Sequence, residues 1–118
     1  MERFSFGSEV AFAPTEELLN GVTVAPLSRP VSQGSPFQAA VFRVDPGGRI
    51  ARHPATCPQI LAVLEGSGEV SGAGGVDEPI EVGEAVFWSA GDEHETKTVV
   101  GLTALIIEGE GLEPFQRR

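Results

Sequence analysis

The stretch that decides the fold is GGRIARHPATCPQILAVLEG, residues 47–66. It starts with two glycines, carries His53 on a segment that ends at a proline, and closes with an apolar run before Gly66. Because Pro54 disfavours the helical conformation at the residue before it, His53 is predicted to lie on an extended segment. The continuous apolar run at residues 60–64 predicts a buried strand. The stretch therefore predicts two neighbouring strands with a turn between them.

Short apolar segments separated by glycine and proline continue on both sides of this stretch. The chain has 118 residues with 15 glycines and 9 prolines, which favours one domain of many short strands. The predicted strands are residues 22–27, 37–45, 49–55, 60–64, 69–71, 80–82, 85–88, 95–100 and 102–108, and residues 31–36 are predicted to be a loop. One helix of about two turns is predicted at residues 14–20, where a proline precedes two glutamates and Gly21 follows. The predicted fold class is all-β, a closed barrel or jelly roll with at most one short helix.

Two glycine-bounded patterns of polar residues lie within this strand arrangement. The first is Gly47, five residues, His53-Pro54-Ala55, three residues, Gln59, six residues and Gly66. The second is Gly83, five residues, Ser89-Ala90-Gly91, two residues, His94, three residues and Thr98. Both patterns resemble the two motifs of the cupin family, in the same order and with the same spacing. The resemblance covers about residues 37–108 and implies a double-stranded β-helix, with residues 1–118 as a single barrel domain.

The cupin resemblance also implies where a metal ion would bind. Intact cupin sites take two His and one Glu from the first motif and one His from the second. His53 and His94 stand at ligand positions, whereas Ala55 replaces the second His and Gln59 replaces the Glu. A neutral amide oxygen is a poorer ligand for a divalent cation than a carboxylate. We therefore expect no tightly bound cofactor; a divalent metal, if held weakly, would be held by His53, His94 and Gln59.

The alternation of side chains along a strand predicts which residues join these polar groups. Alternate residues point to the same face, so Gln59, Leu61 and Val63 are predicted to face the barrel interior. Trp88 is predicted to form a wall of the same pocket. The expected ligand-binding residues are therefore His53, Gln59, Leu61, Val63, Trp88 and His94, in a mostly apolar pocket typical of small-molecule sites. The sequence assigns no catalytic residue.

The charge balance and the cysteine content narrow the range of partners and compartments. The formal net charge of −9 would repel nucleic-acid phosphates and anionic membranes, so neither is expected as a partner. The single cysteine, Cys57, excludes an internal disulfide and suits a reducing compartment. Residues 1–12 lack the pattern of a signal peptide, and no apolar run reaches the roughly 20 residues that span a membrane. We therefore expect a cytoplasmic protein.

Three functions remain open from the sequence. The first is a small-molecule-binding cupin without a tightly held metal, acting as a sensor, carrier or accessory protein. The second is a metal-dependent enzyme of the dioxygenase or isomerase type that uses His53 and His94. The third is a structural dimer module with a filled barrel. Small cupins commonly pair through sheet edges and exchanged N-terminal strands, so the resemblance implies a homodimer, with residues 5–12 as the exchanged segment.

Overall fold

The computed structural model describes residues 1–29 and 37–115, which form an antiparallel β-barrel. Its strands are β1 (Leu19–Pro26), β2 (Phe37–Pro54), β3 (Gln59–Ser71), β4 (Glu78–Glu81), β5 (Ala85–Trp88), β6 (Glu93–Lys97) and β7 (Leu102–Gly109). In this described part of the chain, the only helical element is a 3₁₀ turn at Ser8–Val10. The predicted all-β jelly-roll class is confirmed. The predicted loop at residues 31–36 lies outside the described residues.

Two long strands connect the two sides of the barrel. Residues 37–44 of β2 pair with β7, and residues 49–54 pair with β6. In the same way, β3 pairs with β5 and β7 in its first half and with β4 and β6 in its second half. Because each long strand passes from one side to the other, the sheet encloses an interior. The predicted strands at 37–45 and 49–55 are therefore parts of one strand, as are those at 60–64 and 69–71.

Gly66 lies where β3 bends between its two sets of partners. Its φ of +75° is in the left-handed region, and the β3–β7 register shifts between Val63 and Glu65, just before it. A Cβ at this position would collide with the carbonyl oxygen of Gly101. Only glycine therefore allows β7 to approach β3 at the bend.

The hydrophobic core lies on the inner face of the barrel. Its members come from β1–β5 and β7 and are Val22, Val24, Ala40, Val44, Ile50, Leu61, Val63, Val70, Ile80, Trp88, Leu102, Ala104 and Ile106. On β7, Leu102, Ala104 and Ile106 are buried and alternate with half-buried residues, as expected for a strand with one face inside. The same alternation places Glu108 on the face of β7 that carries Leu102, Ala104 and Ile106.

The helix predicted at residues 14–20 is not formed. A turn precedes β1, which begins at Leu19 and pairs with β2. The backbone of Leu18 accepts a hydrogen bond from the amide of Ala51 at 2.7 Å, and both leucines pack against the core. A helix of about two turns is marginal on its own. Strand pairing and apolar packing therefore outweigh the helix signals, and the prediction was wrong.

The N-terminal segment follows the barrel of its own chain. Residues 5–12 contain the 3₁₀ turn, and a single bridge joins Phe12 to Val24 of β1. Nη1 of Arg43 donates a hydrogen bond to the carbonyl oxygen of Phe6 at 3.2 Å. Exchange of this segment with a second chain stays a prediction. Within the described ranges, the chain forms no helix of the length and apolar character needed to cross a membrane.

Candidate functional site

The two histidines of the chain lie side by side on neighbouring strands. The β2–β6 pairing sets His53 opposite His94, and their ring centroids are 4.3 Å apart. On the same strand as His94, the side chain of Thr96 is also buried, whereas Glu93 is exposed, and Thr98 just after the strand is buried too. The indole of Trp88 packs against His94 with a centroid distance of 4.4 Å. The imidazole of His94 is thus enclosed between an imidazole and an indole.

Backbone carbonyl groups fix the orientation of both imidazoles. Nδ1 of His53 lies 2.8 Å from the carbonyl oxygen of Ala51, and Nδ1 of His94 lies 3.1 Å from that of Asp92. A carbonyl oxygen only accepts hydrogen bonds, so each Nδ1 carries the proton and donates it. Burial lowers the pKa of His94, and the neighbouring charge of His53 lowers it further, against the raising effect of its bond to Asp92. In the neutral form, Nε2 of each ring is an unprotonated acceptor.

A glutamine and a glutamate form a second polar pair in the interior. Gln59 of β3 pairs with Glu108 of β7, and Nε2 of Gln59 donates to Oε2 of Glu108 at 3.1 Å. The sequence prediction did not include Glu108. A signal was present, because Glu108 continues the alternating series that begins Leu102, Ala104 and Ile106 on the inner face of β7.

A cavity of about 300 Å³ brings these two polar pairs together. Its polar lining consists of His53, His94, Gln59, Glu108, Gln38, Thr96 and Glu16. Its apolar lining consists of Phe12, Pro14, Leu18, Leu19, Val24, Ala40, Phe42, Ile50, Leu61 and Ile106. The segment from Phe12 to Leu19, which sequence reasoning did not assign to the site, therefore forms part of its wall. The interior is not filled by side chains, which contradicts the filled-barrel hypothesis.

The predicted pocket residues divide into two groups. His53, Gln59, Leu61 and His94 line the cavity. Val63 and Trp88 are members of the core cluster beside it rather than of its wall. Trp88 still bears on the site, because it contacts the face of His94.

Comparison with known proteins identifies the family. The family model of the cupin domain matches residues 40–111. The chain belongs to the cupin family. No curated protein sequence matches it significantly.

Several solved structures share the cupin fold with this chain. The polyketide cyclase RemF from Streptomyces resistomycificus is 24% identical, with a TM-score of 0.78 over 99% of this chain and 87% of that one. An RmlC-like cupin from Shewanella frigidimarina is 19% identical, with a TM-score of 0.72 over 96% and 95% of the two chains. A cupin 2 conserved barrel domain protein from Salinispora arenicola is 18% identical, with a TM-score of 0.71 over 93% and 88%. At these identities the likeness shows the fold alone.

Two of the four positions that bind metal in intact cupins carry other residues in this chain. Ala55 stands where the second His of the first motif would be, and its amide donates to the carbonyl oxygen of Asp92 at 2.9 Å. Gln59 stands where the Glu would be, and its amide group is held by Glu108. Across residues 1–29 and 37–115, no three His, Cys, Asp or Glu side chains are grouped so that they could hold a metal ion. The described side chains at cupin ligand positions are therefore two imidazoles and one amide, whereas structural zinc sites use four protein ligands and catalytic ones three.

The single cysteine lies beside the site but is not activated. Cys57 is buried in the turn between β2 and β3. Burial raises the pKa of its thiol, and the negative charge of Glu108 raises it further. A nucleophilic cysteine needs a lowered pKa. Its burial and the direction of this pKa shift are those of a packed thiol and not of a nucleophile.

Proposed function

We propose that this cupin binds a small, mostly apolar molecule in its barrel, without a tightly held metal, and serves as a cytoplasmic sensor, carrier or accessory protein. The observation that carries the proposal is the cavity of about 300 Å³, with apolar walls and a few polar groups fixed in orientation. Small-molecule sites have this composition, and their volumes begin at about 300 Å³. The incomplete ligand set supports the metal-free part of the proposal.

The test is a ligand screen on a matched pair of variants. Ala40 is buried and lines the cavity, so Ala40→Leu places three extra carbons in the binding space. Ala85→Leu makes the same chemical change at an exposed strand position outside the cavity and serves as the control. A ligand present at about 100 times its Kd stabilises the folded protein by about 2.7 kcal/mol. The rise in Tm should occur in the wild type and in Ala85→Leu but not in Ala40→Leu; hits that stabilise all three proteins equally would contradict the proposal.

A metal-dependent enzyme is the second candidate. One observation favours it: both histidines donate Nδ1–H to a backbone carbonyl, which is how metal-binding histidines are commonly oriented. A similar fold occurs in a polyketide cyclase, although at 24% identity. Metal analysis of protein purified without a His-tag separates the two candidates. Near-stoichiometric iron, manganese, nickel or zinc that is lost in the double variant His53→Ala, His94→Ala would overturn the metal-free proposal.

A homodimer is part of the same proposal, and its support is the outer face of the barrel. Leu105 and Ile107 of β7 point outward beside Ile60 and Ala62 of β3, and all four side chains are half-buried. An apolar outer sheet face of this kind is typical of an interface. Sedimentation equilibrium should give twice the chain mass, and Ile107→Glu should give a folded monomer. A wild type that is monomeric at micromolar concentration would contradict the dimer.

A further inference from the structure

The polar groups in the cavity are mostly hydrogen-bond acceptors. Nδ1 of each histidine is occupied by a backbone carbonyl, so the neutral ring offers only Nε2. Neither Nε2 has a hydrogen-bond partner among the described residues. Every fully buried side-chain nitrogen or oxygen in that part of the chain does have a partner, so neither Nε2 atom is fully buried. Both atoms are therefore open to the cavity that His53 and His94 line. They present two lone pairs from adjacent rings.

Gln59 adds a third acceptor. An ionised carboxylate cannot donate, so the amide nitrogen of Gln59 must face Glu108, as the 3.1 Å bond shows. The amide oxygen is left for the cavity. Glu108 therefore determines which end of the Gln59 amide a ligand meets.

The charges around the cavity are negative only. Glu16 and Glu108 line it, and no Lys or Arg is found in its lining within the described residues. Thr96 and Gln38 are the remaining polar side chains of the wall, and both are uncharged. A ligand carboxylate or phosphate would lose its hydration and gain no cationic partner, which is unfavourable. An ammonium group would lose its hydration in the interior without a free partner there, because Glu16 is exposed to solvent and Glu108 already accepts a hydrogen bond from Gln59.

From these acceptors and charges we infer the ligand class: an uncharged, mostly apolar molecule that carries a hydroxyl donor, bound with the hydroxyl at His53, His94 and Gln59. The inference rests on the proposed small-molecule function and adds the chemistry of the ligand. A cavity of about 150 Å³ holds one benzene ring. The volume of about 300 Å³ therefore suits two fused rings.

The test compares four probes with the same ring system. Naphthol, methoxynaphthalene, naphthoate and naphthylmethylammonium differ only in the polar group, and all are titrated calorimetrically at pH 7.5 with EDTA present. One hydrogen bond to a fixed acceptor is worth about 1.4 kcal/mol, or about tenfold in Kd. Naphthol should therefore bind at least about tenfold more tightly than each of the others. Gln59→Leu should reduce this advantage over methoxynaphthalene, and Glu93→Gln, an exposed change on the strand of His94, should leave it unchanged.

The outcomes separate this inference from the proposed function. Equal binding of naphthol and its methyl ether, or tightest binding of naphthoate or the ammonium probe, would overturn the inference and leave the small-molecule function standing. Failure of all four probes to bind would overturn the inference, whereas the ligand screen on Ala40→Leu tests the function separately. ¹⁵N spectra of the unmodified protein check the acceptors directly. Both rings should show the Nδ1–H form at pH 7.5, and an Nε2–H form at either ring would overturn the inference.

Discussion

Replacing Gly66 with alanine should destabilise the barrel far more than the same change at Gly47. Both glycines have left-handed backbones, with φ of +75° and +81°, which costs a residue with a Cβ about 1–2 kcal/mol. At Gly47 an added Cβ meets no atom within 4 Å, so this strain is the whole cost. At Gly66 the Cβ collides with the carbonyl of Gly101, which also accepts a hydrogen bond from the amide of Ser67 at 3.2 Å.

The size of the difference follows from these contacts. Overpacking against backbone adds about 1–3 kcal/mol, and the weakened bond from Ser67 adds about 1 kcal/mol. The free energy of unfolding should therefore fall by roughly 3–6 kcal/mol for Gly66→Ala and by about 1–2 kcal/mol for Gly47→Ala. A domain of this size has about 5–15 kcal/mol in total, so the first change is close to the limit of folding.

Urea denaturation followed by the fluorescence of Trp88, the only tryptophan, measures both losses. Trp88 is buried in the core and becomes exposed on unfolding, and circular dichroism provides an independent probe. Equal losses for Gly66→Ala and Gly47→Ala would refute the close approach of β7 to the bend of β3. A smaller loss at Gly66 than at Gly47 would refute the strand pairing at the bend altogether.

Three further predictions concern the site. Because burial lowers the pKa of His94 in the folded state, the unfolded chain binds the proton more readily than the folded protein. The free energy of unfolding should therefore fall as the pH drops below about 6.5. In urea titrations at several pH values, His94→Phe should reduce this dependence on pH. Cys57 should react with a thiol reagent slowly in the folded protein and quickly in urea, since burial raises its pKa; fast labelling without denaturant would contradict its packing role. Glu108→Gln should weaken the discrimination against naphthoate in calorimetry, because one of two carboxylates at the cavity becomes neutral; unchanged discrimination would show that Glu108 does not influence the ligand.

Much of the fold could be predicted from the sequence because the spacing of two motifs constrains it. The glycines at positions 47, 66 and 83 all adopt positive φ, so their positions in the motifs indicate where the backbone turns or bends. The strand boundaries were harder to predict. Pro46, Gly47 and Gly48 indicate a break, yet β2 continues through them as one bent strand. Proline and glycine occur both where a strand bends and where a strand ends. Only the strands that pair with β2 on either side of these residues show that it continues.

The helix error and the missed wall segment have a common origin. Residues 14–20 carry local helix signals, but Leu18 and Leu19 pack against the core and β1 pairs with β2. Such pairing joins residues more than 20 positions apart, such as Leu19 and Ile50, and leaves no trace in local composition. The same packing brings Phe12 and Glu16 to the cavity.

The polar site was only partly accessible from the motifs. His53, Gln59 and His94 occupy motif positions and could be named from the sequence. Glu108 lies outside both motifs, and its role depends on the register between β3 and β7, which sets it opposite Gln59. The orientation of the imidazoles depends on the carbonyl groups of Ala51 and Asp92, which belong to no motif.

The measurement that tests the central claim most directly is the electron density between His53, His94 and Gln59 in crystals of untagged protein grown without added metal. The account predicts the density of an organic molecule, or of ordered water in its place, within hydrogen-bond distance of both Nε2 atoms and of the Gln59 amide oxygen. After soaking, naphthol should occupy the same position with its hydroxyl toward the histidines. An anomalous peak from a metal ion bound by both imidazoles would contradict the account, as would a cavity closed by side chains.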